Sequence, residues 1–230
     1  MAYDGTGFYG WAAQPGLRTV EETIRAACEA VFGGSNNLAV AGRTDAGVHA
    51  LANVISVDAP GGPPPDRAAE ALNAMLPGDV AVVSAAEASP DFNARFGARS
   101  RSYRYRIWRS SVRSPFERQR SWWYPRSLDV ERLEAQAAVI VGEHDFRAFT
   151  PTGTHHHAFV RVVERAQWLR DDDVLTFAIA ADSFLRHMVR TLVGTMVDAV
   201  DIAPLLDRRP RAEAGRTAPP EGLYLENVMY

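Results

Sequence analysis

Hydrophobic residues recur along the chain with two different periods, and each period predicts one type of element. Over residues 20–32 they return every three or four positions, as one face of a helix requires. Thr19 and Glu22 have the spacing of a capping box, so we expect the first helix to begin after Thr19. The same period predicts a helix over about 129–141 and a longest helix, "FLRHMVRTLVGTMVDAV", capped by Ser183.

A period of two predicts strands in most of the remaining apolar stretches. Short strands are expected near 38–41 and 51–58, and in "RSYRYRIW" the alternation places Tyr103, Tyr105 and Ile107 on one face. "FVRVVERAQWLR" and "VLTFAIAA" predict a hairpin, and "GLYLENVMY" predicts a final strand.

The segment between the strand near 51–58 and "RSYRYRIW" is predicted to contain one helix and one strand. Asp66 is placed to cap a short helix that ends near Met75, after the proline-rich loop "GGPPP". The turn "LPGD" then leads into a strand, "VAVVSAAEA".

The order of the elements predicts an α+β fold with mixed sheets and helices on one face. The first half reads strand–helix–strand–strand–helix–strand, and the second half has a similar order. A chain of 230 residues is long enough for two small lobes. We therefore expect two related lobes, an N-terminal one over residues 1–95 and a C-terminal one over residues 96–230.

Composition excludes several classes of protein. No apolar stretch approaches the ~18 residues of a membrane span, and the chain does not begin with a signal-peptide pattern. The single cysteine, Cys28, excludes an intramolecular disulfide. These features predict a cytoplasmic protein that does not associate with membranes.

Charge is unevenly distributed along the chain. The formal net charge is −3, yet the stretch from Arg95 to Arg126 holds ten arginines and one acid, Glu117. Aromatic residues are interleaved with the arginines, and the chain contains no lysine. Guanidinium groups bind phosphates and aromatic rings stack on bases, so the stretch is typical of RNA binding. The alternative is a strand face that is merely solvated.

The turn "AGRTDAGVHA", residues 41–50, contains an arginine, an aspartate and a histidine, side chains able to take part in a reaction that a turn alone does not require. Gly42 and Gly47 permit a sharp turn and a close approach by a substrate. Arg43 lies two residues from Asp45, and a nearby guanidinium keeps a carboxylate ionised. The alternative is a hairpin in which Asp45 only caps its own turn.

The run "FLRHMVRTLVG" supplies a further candidate. Arg186 and Arg190 are four apart and would share one helical face, with Gly194 one turn further on. A small residue there leaves space beside the Arg190 side chain. The alternative is a pair of solvated surface arginines.

Seven segments together resemble one known family. "YDGTGFYGWAAQPGLRTVEE", "AGRTDAGVHA", "LPGDVAV", "DFNARFGARSRSYRYRI", "GEHDF", "FLRHMVRTLVG" and "EGLYL" follow the order and spacing of TruA-type tRNA pseudouridine synthases. The resemblance extends over essentially the whole chain. In one respect the chain differs: it begins "MAYDGTGF", with fewer residues before the tyrosine than the family has, so we expect either a mis-assigned start or a shortened first strand.

The resemblance implies a role for five residues. Asp45 is similar to the catalytic aspartate of the family. Arg43 is similar to the arginine that helps hold the flipped nucleotide, and Tyr103 to the tyrosine that stacks on the target base. Arg190 matches the helix arginine that pairs with the catalytic carboxylate. Leu223 matches an apolar residue that lines the uracil pocket.

The resemblance also implies a substrate, partners and a fold. The expected reaction is isomerisation of uridine to pseudouridine at positions 38, 39 and 40 of the tRNA anticodon stem-loop, without a metal or a cofactor. The expected assembly is a homodimer with a tRNA lying across both subunits. The pseudouridine synthase fold implies mainly antiparallel sheets with a cleft between the lobes.

Two other functions are compatible with parts of the sequence. A non-catalytic RNA-binding protein or RNA chaperone could use the same basic stretch. A glycosidase-like hydrolase would need paired carboxylates, for which Asp4 and Asp45 are the candidates, although Asp4 has the position of a turn residue after a strand. The consecutive histidines 155–157 are interpreted as a solvated loop, because adjacent residues cannot easily face one metal ion.

Overall fold

In the computed structural model, which describes residues 1–154 and 157–230, the chain forms two compact units. One unit comprises Met1–Arg99 and Tyr224–Tyr230, and the other comprises Ser100–Leu223. These units differ from the expected lobes 1–95 and 96–230 in two places. The first boundary lies four residues later, and the last seven residues belong to the first unit.

Helices and strands of both units are numbered in the order in which they follow the chain. The helices are α1 (Val20–Phe32), α2 (Pro65–Met75), α3 (Val130–Val139) and α4 (Met188–Val197). The strands are β1 (Ala2–Tyr3), β2 (Asn36–Val40), β3 (His49–Ala50), β4 (Ile55–Asp58), β5 (Val80–Ala81), β6 (Ser100–Trp108), β7 (Trp122–Trp123), β8 (Gly142–Asp145), β9 (Val160–Asp171), β10 (Val174–Ala181) and β11 (Leu223–Met229). Short 3-10 helices lie at Gly5–Gly7, Arg147–Phe149, Ala203–Leu206, Arg211–Glu213 and Pro220–Gly222.

In the first unit, the strands β5, β1, β3 and β11 lie side by side in that order. β1 is antiparallel to both β5 and β3, whereas β11 is parallel to β3, with Tyr224 opposite His49. This pairing is the reason that the C-terminal residues join the N-terminal unit. β2 and β4 form a separate antiparallel pair, and α1 packs against α2.

The predicted start of α1 is confirmed. The Thr19 side chain accepts a hydrogen bond from the Glu22 backbone N–H, and its hydroxyl donates to the Glu22 carboxylate at 2.8 Å. Gly33 ends the helix with a φ of +73°, a conformation that favours glycine. Val20, Ile24 and other residues on the hydrophobic face of this helix are buried.

Two predictions for the following segment are wrong. Asp66 does not cap α2, because the helix begins at Pro65, and Asp66 lies inside its first turn. The strand expected over "VAVVSAAEA" is only the two residues of β5. Beyond it, the backbone of Val82 is hydrogen-bonded at both its N–H and its C=O to the side chain of Asn73, in place of a neighbouring strand.

The second unit contains an antiparallel sheet in the order β6, β10, β9, β8, with β7 parallel to β6. The β9–β10 hairpin is confirmed. In β6 the alternation predicted from the sequence is also confirmed, because Tyr103, Tyr105 and Ile107 are buried. α3 packs against β9, and α4 packs against β6.

The predicted start of α4 is wrong. The helix begins at Met188 rather than after Ser183, and α1 is longer. His187 has a φ of +62°, a left-handed conformation that no helix interior accepts, so the preceding residues form a separate turn. Arg186 consequently lies outside the helix and does not share a helical face with Arg190.

The fold is therefore α+β with mainly antiparallel strands, as the sequence predicted. Within residues 1–154 and 157–230, no helix has both the length and the apolar character that crossing a membrane requires. Two of the three consecutive histidines, at 155 and 156, lie outside the described residues.

Candidate active site

The loop that carries Asp45 lies in the first unit, between β2 and β3, and is tied down by backbone hydrogen bonds. The Asp45 carbonyl accepts from the Val48 N–H at 3.1 Å and closes a turn in which Gly47 has a φ of +77°. The Thr44 carbonyl accepts from the Trp11 N–H at 2.9 Å. Thr44 is thus fixed to a buried tryptophan, and the Asp45 backbone is fixed to Val48.

Gly10 lies directly against this loop. A Cβ atom at Gly10 would lie 3.0 Å from the Thr44 carbonyl oxygen and 3.1 Å from the Ala46 nitrogen. Gly10 also has a φ of +91°, which favours glycine. The absence of a side chain there lets the "GFYGW" segment and the Asp45 loop approach each other closely.

A buried polar network holds the start of the loop. The Asn53 side chain, fully buried, donates to the Gly42 carbonyl at 2.8 Å and accepts from the Gly42 N–H at 3.3 Å. It also donates to the Tyr3 hydroxyl, which is 2.8 Å from the Thr44 hydroxyl. Burial raises the pKa of Tyr3 to about 12, outweighing these hydrogen bonds, so the phenol stays neutral.

Side chains of the loop differ in their exposure. Asp45 is half-buried and Arg43 is exposed, so both groups are accessible to a ligand. His49 is buried and stacks on Tyr224 with ring centroids 4.6 Å apart. Asp4, the other carboxylate considered for a hydrolase, caps a 3-10 turn by accepting from the Thr6 N–H at 3.1 Å, which confirms it as a turn residue.

Tyr103 lies in the second unit on the buried face of β6. Its ring meets the Phe184 ring edge-to-face at a centroid distance of 5.0 Å, and 8% of the residue is exposed. Tyr105, two residues further along the same face, donates its hydroxyl to the Pro219 carbonyl at 2.8 Å. Burial raises the pKa of Tyr105 well above its ordinary value; Glu221 adds to this effect, and Arg190 opposes it.

Arg190 lies in the first turn of α4 and is half-buried. Its Nε donates to the Ala218 carbonyl at 2.8 Å, while its own carbonyl accepts from the Ala218 N–H at 3.0 Å. The Ala218 backbone therefore fixes both the main chain and the guanidinium of Arg190.

Residues 215–218, which we call the strap, run along α4 and are bound by its side chains. The Gly215 N–H donates to the Thr195 hydroxyl at 3.1 Å, and the Thr191 and Thr217 hydroxyls are 3.2 Å apart. A Cβ atom at Gly194 would overlap the Arg216 carbonyl oxygen. Gly194 therefore makes room for the strap rather than for the arginine side chain.

Leu223 is buried at the start of β11, immediately after Gly222. A Cβ atom at Gly222 would lie 2.7 Å from both the Arg106 carbonyl oxygen and the Tyr105 ring. The glycine thus allows the chain to pass close to β6 before Leu223.

The structure groups the five predicted residues as follows. Arg43 and Asp45 share one loop of the first unit, whereas Tyr103, Arg190 and Leu223 belong to the second. Among the described residues, no group of three or more His, Cys, Asp or Glu side chains is arranged to hold a metal ion.

The sequence did not identify Asn53 and Ala218, which orient the Asp45 loop and Arg190. Asn53 could have been noticed as an amide within the apolar stretch "LANVISVD". No sequence signal marks Ala218, because its contribution is made by backbone atoms.

Comparison with known proteins places the chain in a family. The family model described as tRNA pseudouridine synthase matches residues 1–97 and 137–230. A protein of Acetivibrio thermocellus named tRNA pseudouridine synthase A is 40% identical over 237 residues, covering 100% of this chain and 97% of that protein. Proteins of the same name from Moorella thermoacetica and Geobacillus kaustophilus are 40% and 39% identical, over 100% of this chain and 97% and 92% of their own lengths.

A chain in the solved structure titled "Crystal Structure of a Cbf5-Nop10-Gar1 Complex" is similar at 11% identity and a TM-score of 0.40, with 95% of this chain and 53% of that chain covered. This chain thus spans about half the length of that one. The match of the family model and the full-length relatives together show that the chain belongs to the tRNA pseudouridine synthases, a family of isomerases.

Proposed function

We propose that the protein isomerises uridine to pseudouridine in tRNA, with Asp45 as the catalytic carboxylate. The observation that carries the proposal is the environment of Asp45, which is a half-buried acid on a loop held in place by Trp11, Asn53 and Gly10. The relatives named tRNA pseudouridine synthase A, of which the Acetivibrio thermocellus protein is 40% identical to this chain, support the same reaction.

The chemistry suits a single positioned carboxylate. The N1–C1′ bond of uridine breaks, the uracil turns, and C5 forms a new bond to C1′. C5 loses its proton, N1 gains one, and no electrons are exchanged with another molecule, so the reaction is complete without a cofactor or a metal. A carboxylate can assist this cleavage either by covalent attack or by removing a proton from the sugar.

Four further residues are proposed to bind the nucleotide. Arg43 is exposed beside Asp45 in sequence and can reach a phosphate. Tyr103 presents an aromatic ring, Arg190 an oriented guanidinium, and Leu223 an apolar surface for the uracil. A flipped base costs a few kcal/mol to extract from its stack, and contacts of these kinds offset that cost.

We infer the remaining features from the resemblance. The target uridines are positions 38, 39 and 40 of the anticodon stem-loop, the active form is a homodimer that binds tRNA across both subunits, and the protein acts in the cytoplasm.

Tritium release tests the reaction. The full chain is incubated with unmodified tRNA labelled with tritium at uracil C5, and release into water is followed. Release is expected from the wild-type protein and is expected to be abolished in Asp45→Ala and Asp45→Asn, with tRNA binding retained. Asp91→Asn, which removes an exposed carboxylate of the same unit, is the matched control and should release tritium normally.

The same assay separates the alternatives. Binding of tRNA without any release would identify a non-catalytic RNA-binding protein, and accumulation of free uracil would identify a hydrolase. Transcripts that keep uridine at only one of positions 38, 39 and 40 test the target positions. Release that persists when all three are replaced by cytidine would overturn that assignment.

A further inference from the structure

The Phe116 side chain is exposed to solvent on a loop of the second unit. It is 89% exposed, although full burial of such a ring is worth about 1.5–3 kcal/mol. It lies in residues 109–121, which we call the arginine loop and which join β6 to β7. A single exposed apolar side chain is common on protein surfaces, so the inference rests on this ring together with the arginines next to it.

The arginine loop is built to keep its shape. The Ser114 hydroxyl accepts from the Phe116 N–H at 3.2 Å and from the Glu117 N–H at 3.3 Å, forming a tight turn. Arg106, on β6, donates to both carboxylate oxygens of Glu117 at 2.8 and 3.0 Å. The Arg120 N–H donates to the Glu117 carbonyl at 3.0 Å. Glu117 therefore fixes the base of the turn, and Phe116 next to it is left in solvent.

The loop carries an excess of positive charge. It contains four arginines and one acid, and that acid, Glu117, is already paired with Arg106. Arg113 and Arg118 are exposed on either side of Phe116 in sequence. The Arg113 guanidinium also lies over the Trp123 ring, 4.4 Å from its centroid, which restrains its position.

We propose that the arginine loop is an additional RNA-contact surface, on which Phe116 stacks against an unpaired base while Arg113 and Arg118 bind phosphates. The proposal rests on the proposed function only in taking RNA as the ligand, and it adds residues outside the five assigned to the target nucleotide. The loop falls within residues 98–136, which the family model leaves unmatched.

RNA fits this surface better than a protein partner does. Any base offers a flat face to an aromatic ring, and guanidinium groups neutralise the phosphates next to it. Phenylalanine and arginine also occur in protein–protein interfaces, but the net positive charge of the loop, four arginines against one acid that is already paired, favours a polyanion such as RNA. A contact of this kind tolerates different sequences, since stacking does not read the edges of the base.

The test compares Phe116→Ala, Phe116→Trp and Val112→Ala in the full chain. Val112, 71% exposed in the same loop, is the matched control for removing an exposed apolar side chain. Phe116→Ala is expected to raise the Kd for unmodified tRNA and the KM by about 5- to 100-fold, with kcat unchanged. Phe116→Trp and Val112→Ala are expected to bind like the wild type.

The arginines are tested by salt dependence. The slope of log Kd against log salt is expected to fall in magnitude by about 0.7 to 0.9 for each of Arg113→Gln and Arg118→Gln. A Kd for Phe116→Ala within twofold of the wild type would overturn the proposal. So would a change in its sedimentation towards smaller species with unaltered tRNA binding, which would identify the loop as a contact between copies of this chain.

The two proposals fail in different ways. Loss of the proposed function would appear as an absence of tritium release from the wild-type protein. The binding measurements need no catalysis, so they decide the role of Phe116 whatever the outcome of that assay.

Discussion

Arg190 and Ala218 are joined by two hydrogen bonds that run in opposite directions. The Ala218 N–H donates to the Arg190 carbonyl at 3.0 Å, and the Arg190 Nε donates to the Ala218 carbonyl at 2.8 Å. A residue with no functional side chain thus fixes the direction of a guanidinium. The strap, and not the helix alone, determines where the terminal nitrogens of Arg190 point.

Gly194→Ala should disrupt this arrangement. An alanine in a helix interior normally stabilises it by about 1 kcal/mol relative to glycine. At this position the added Cβ would overlap the Arg216 carbonyl, and overpacking costs about 1–3 kcal/mol. We therefore expect a net loss of stability in urea unfolding and a lower kcat, because the displaced strap no longer orients Arg190.

Gly153→Ala is the control for this variant. Among the described residues, nothing lies within 4 Å of a Cβ atom at Gly153, so stability and turnover should be unchanged. A Gly194→Ala protein as stable and as active as the wild type would show that the strap does not constrain Arg190.

Arg190→Lys should lose activity although it keeps the positive charge. A lysine ammonium cannot bind the Ala218 carbonyl through an inner nitrogen and present two further nitrogens elsewhere. A hydrogen bond from a charged group is worth about 1.5–3 kcal/mol, so kcat is expected to fall roughly 10- to 100-fold. Tritium release at saturating tRNA measures the effect, and full activity of the lysine variant would mean that charge alone suffices.

How far the sequence predicts the fold depends on whether the signal is local. Thr19 caps α1 as expected, since a capping box involves only four consecutive residues. The alternation in β6 predicts its buried face because a single strand contains the whole pattern. The β9–β10 hairpin is local in the same sense, because its two strands follow each other directly in the chain.

Features that depend on distant partners were not predicted. β11 joins the first unit by pairing with β3, some 170 residues earlier, and no local pattern encodes that choice. His187 interrupts an apolar period that would otherwise run continuously into α4. The Asn73 side chain forms hydrogen bonds with the backbone N–H and C=O of Val82, so the strand ends there. The hydrophobic pattern alone would extend that strand. In the candidate site, the motif identified Asp45, but its supports, Asn53 and Trp11, come from other segments.

Asn53→Ala should loosen the Asp45 loop. The variant removes the partner of the Gly42 N–H and C=O, and each buried group left without a hydrogen bond costs about 1–3 kcal/mol. A lower free energy of unfolding is expected, together with a larger loss in kcat than in tRNA affinity. Tyr3→Phe, which removes only the hydroxyl between Asn53 and Thr44, should have a smaller effect in the same direction.

The exposed Asn36 provides the matched control. Asn36→Ala should leave both unfolding and turnover unchanged. The kcat is measured under conditions in which Asn53→Ala is fully folded. A normal kcat there would show that the hydrogen bonds of Asn53 to the Asp45 loop do not affect catalysis.

Asp198 should make the protein sensitive to acid through its ion pair with the strap. Its carboxylate accepts from the Arg216 Nε at 2.7 Å and from the Arg216 N–H at 2.9 Å. Burial alone would raise the pKa of Asp198, but the hydrogen bonds and charge of Arg216 together lower it below the ordinary value of 3.8. Because the folded state binds the proton less tightly than the unfolded state, the pair contributes its full stability above that value.

This stabilisation should be lost as the pH falls through the lowered pKa of Asp198. In urea unfolding between pH 6 and pH 2.5, the wild-type free energy should decline below about pH 4, and Asp198→Asn should decline less steeply while being less stable at pH 6. Part of the decline should remain in the variant, since the hydrogen bonds from Arg147 also lower the pKa of Asp145, outweighing its burial. An equal acid dependence of the two proteins would show that the Asp198–Arg216 pair does not contribute to folding.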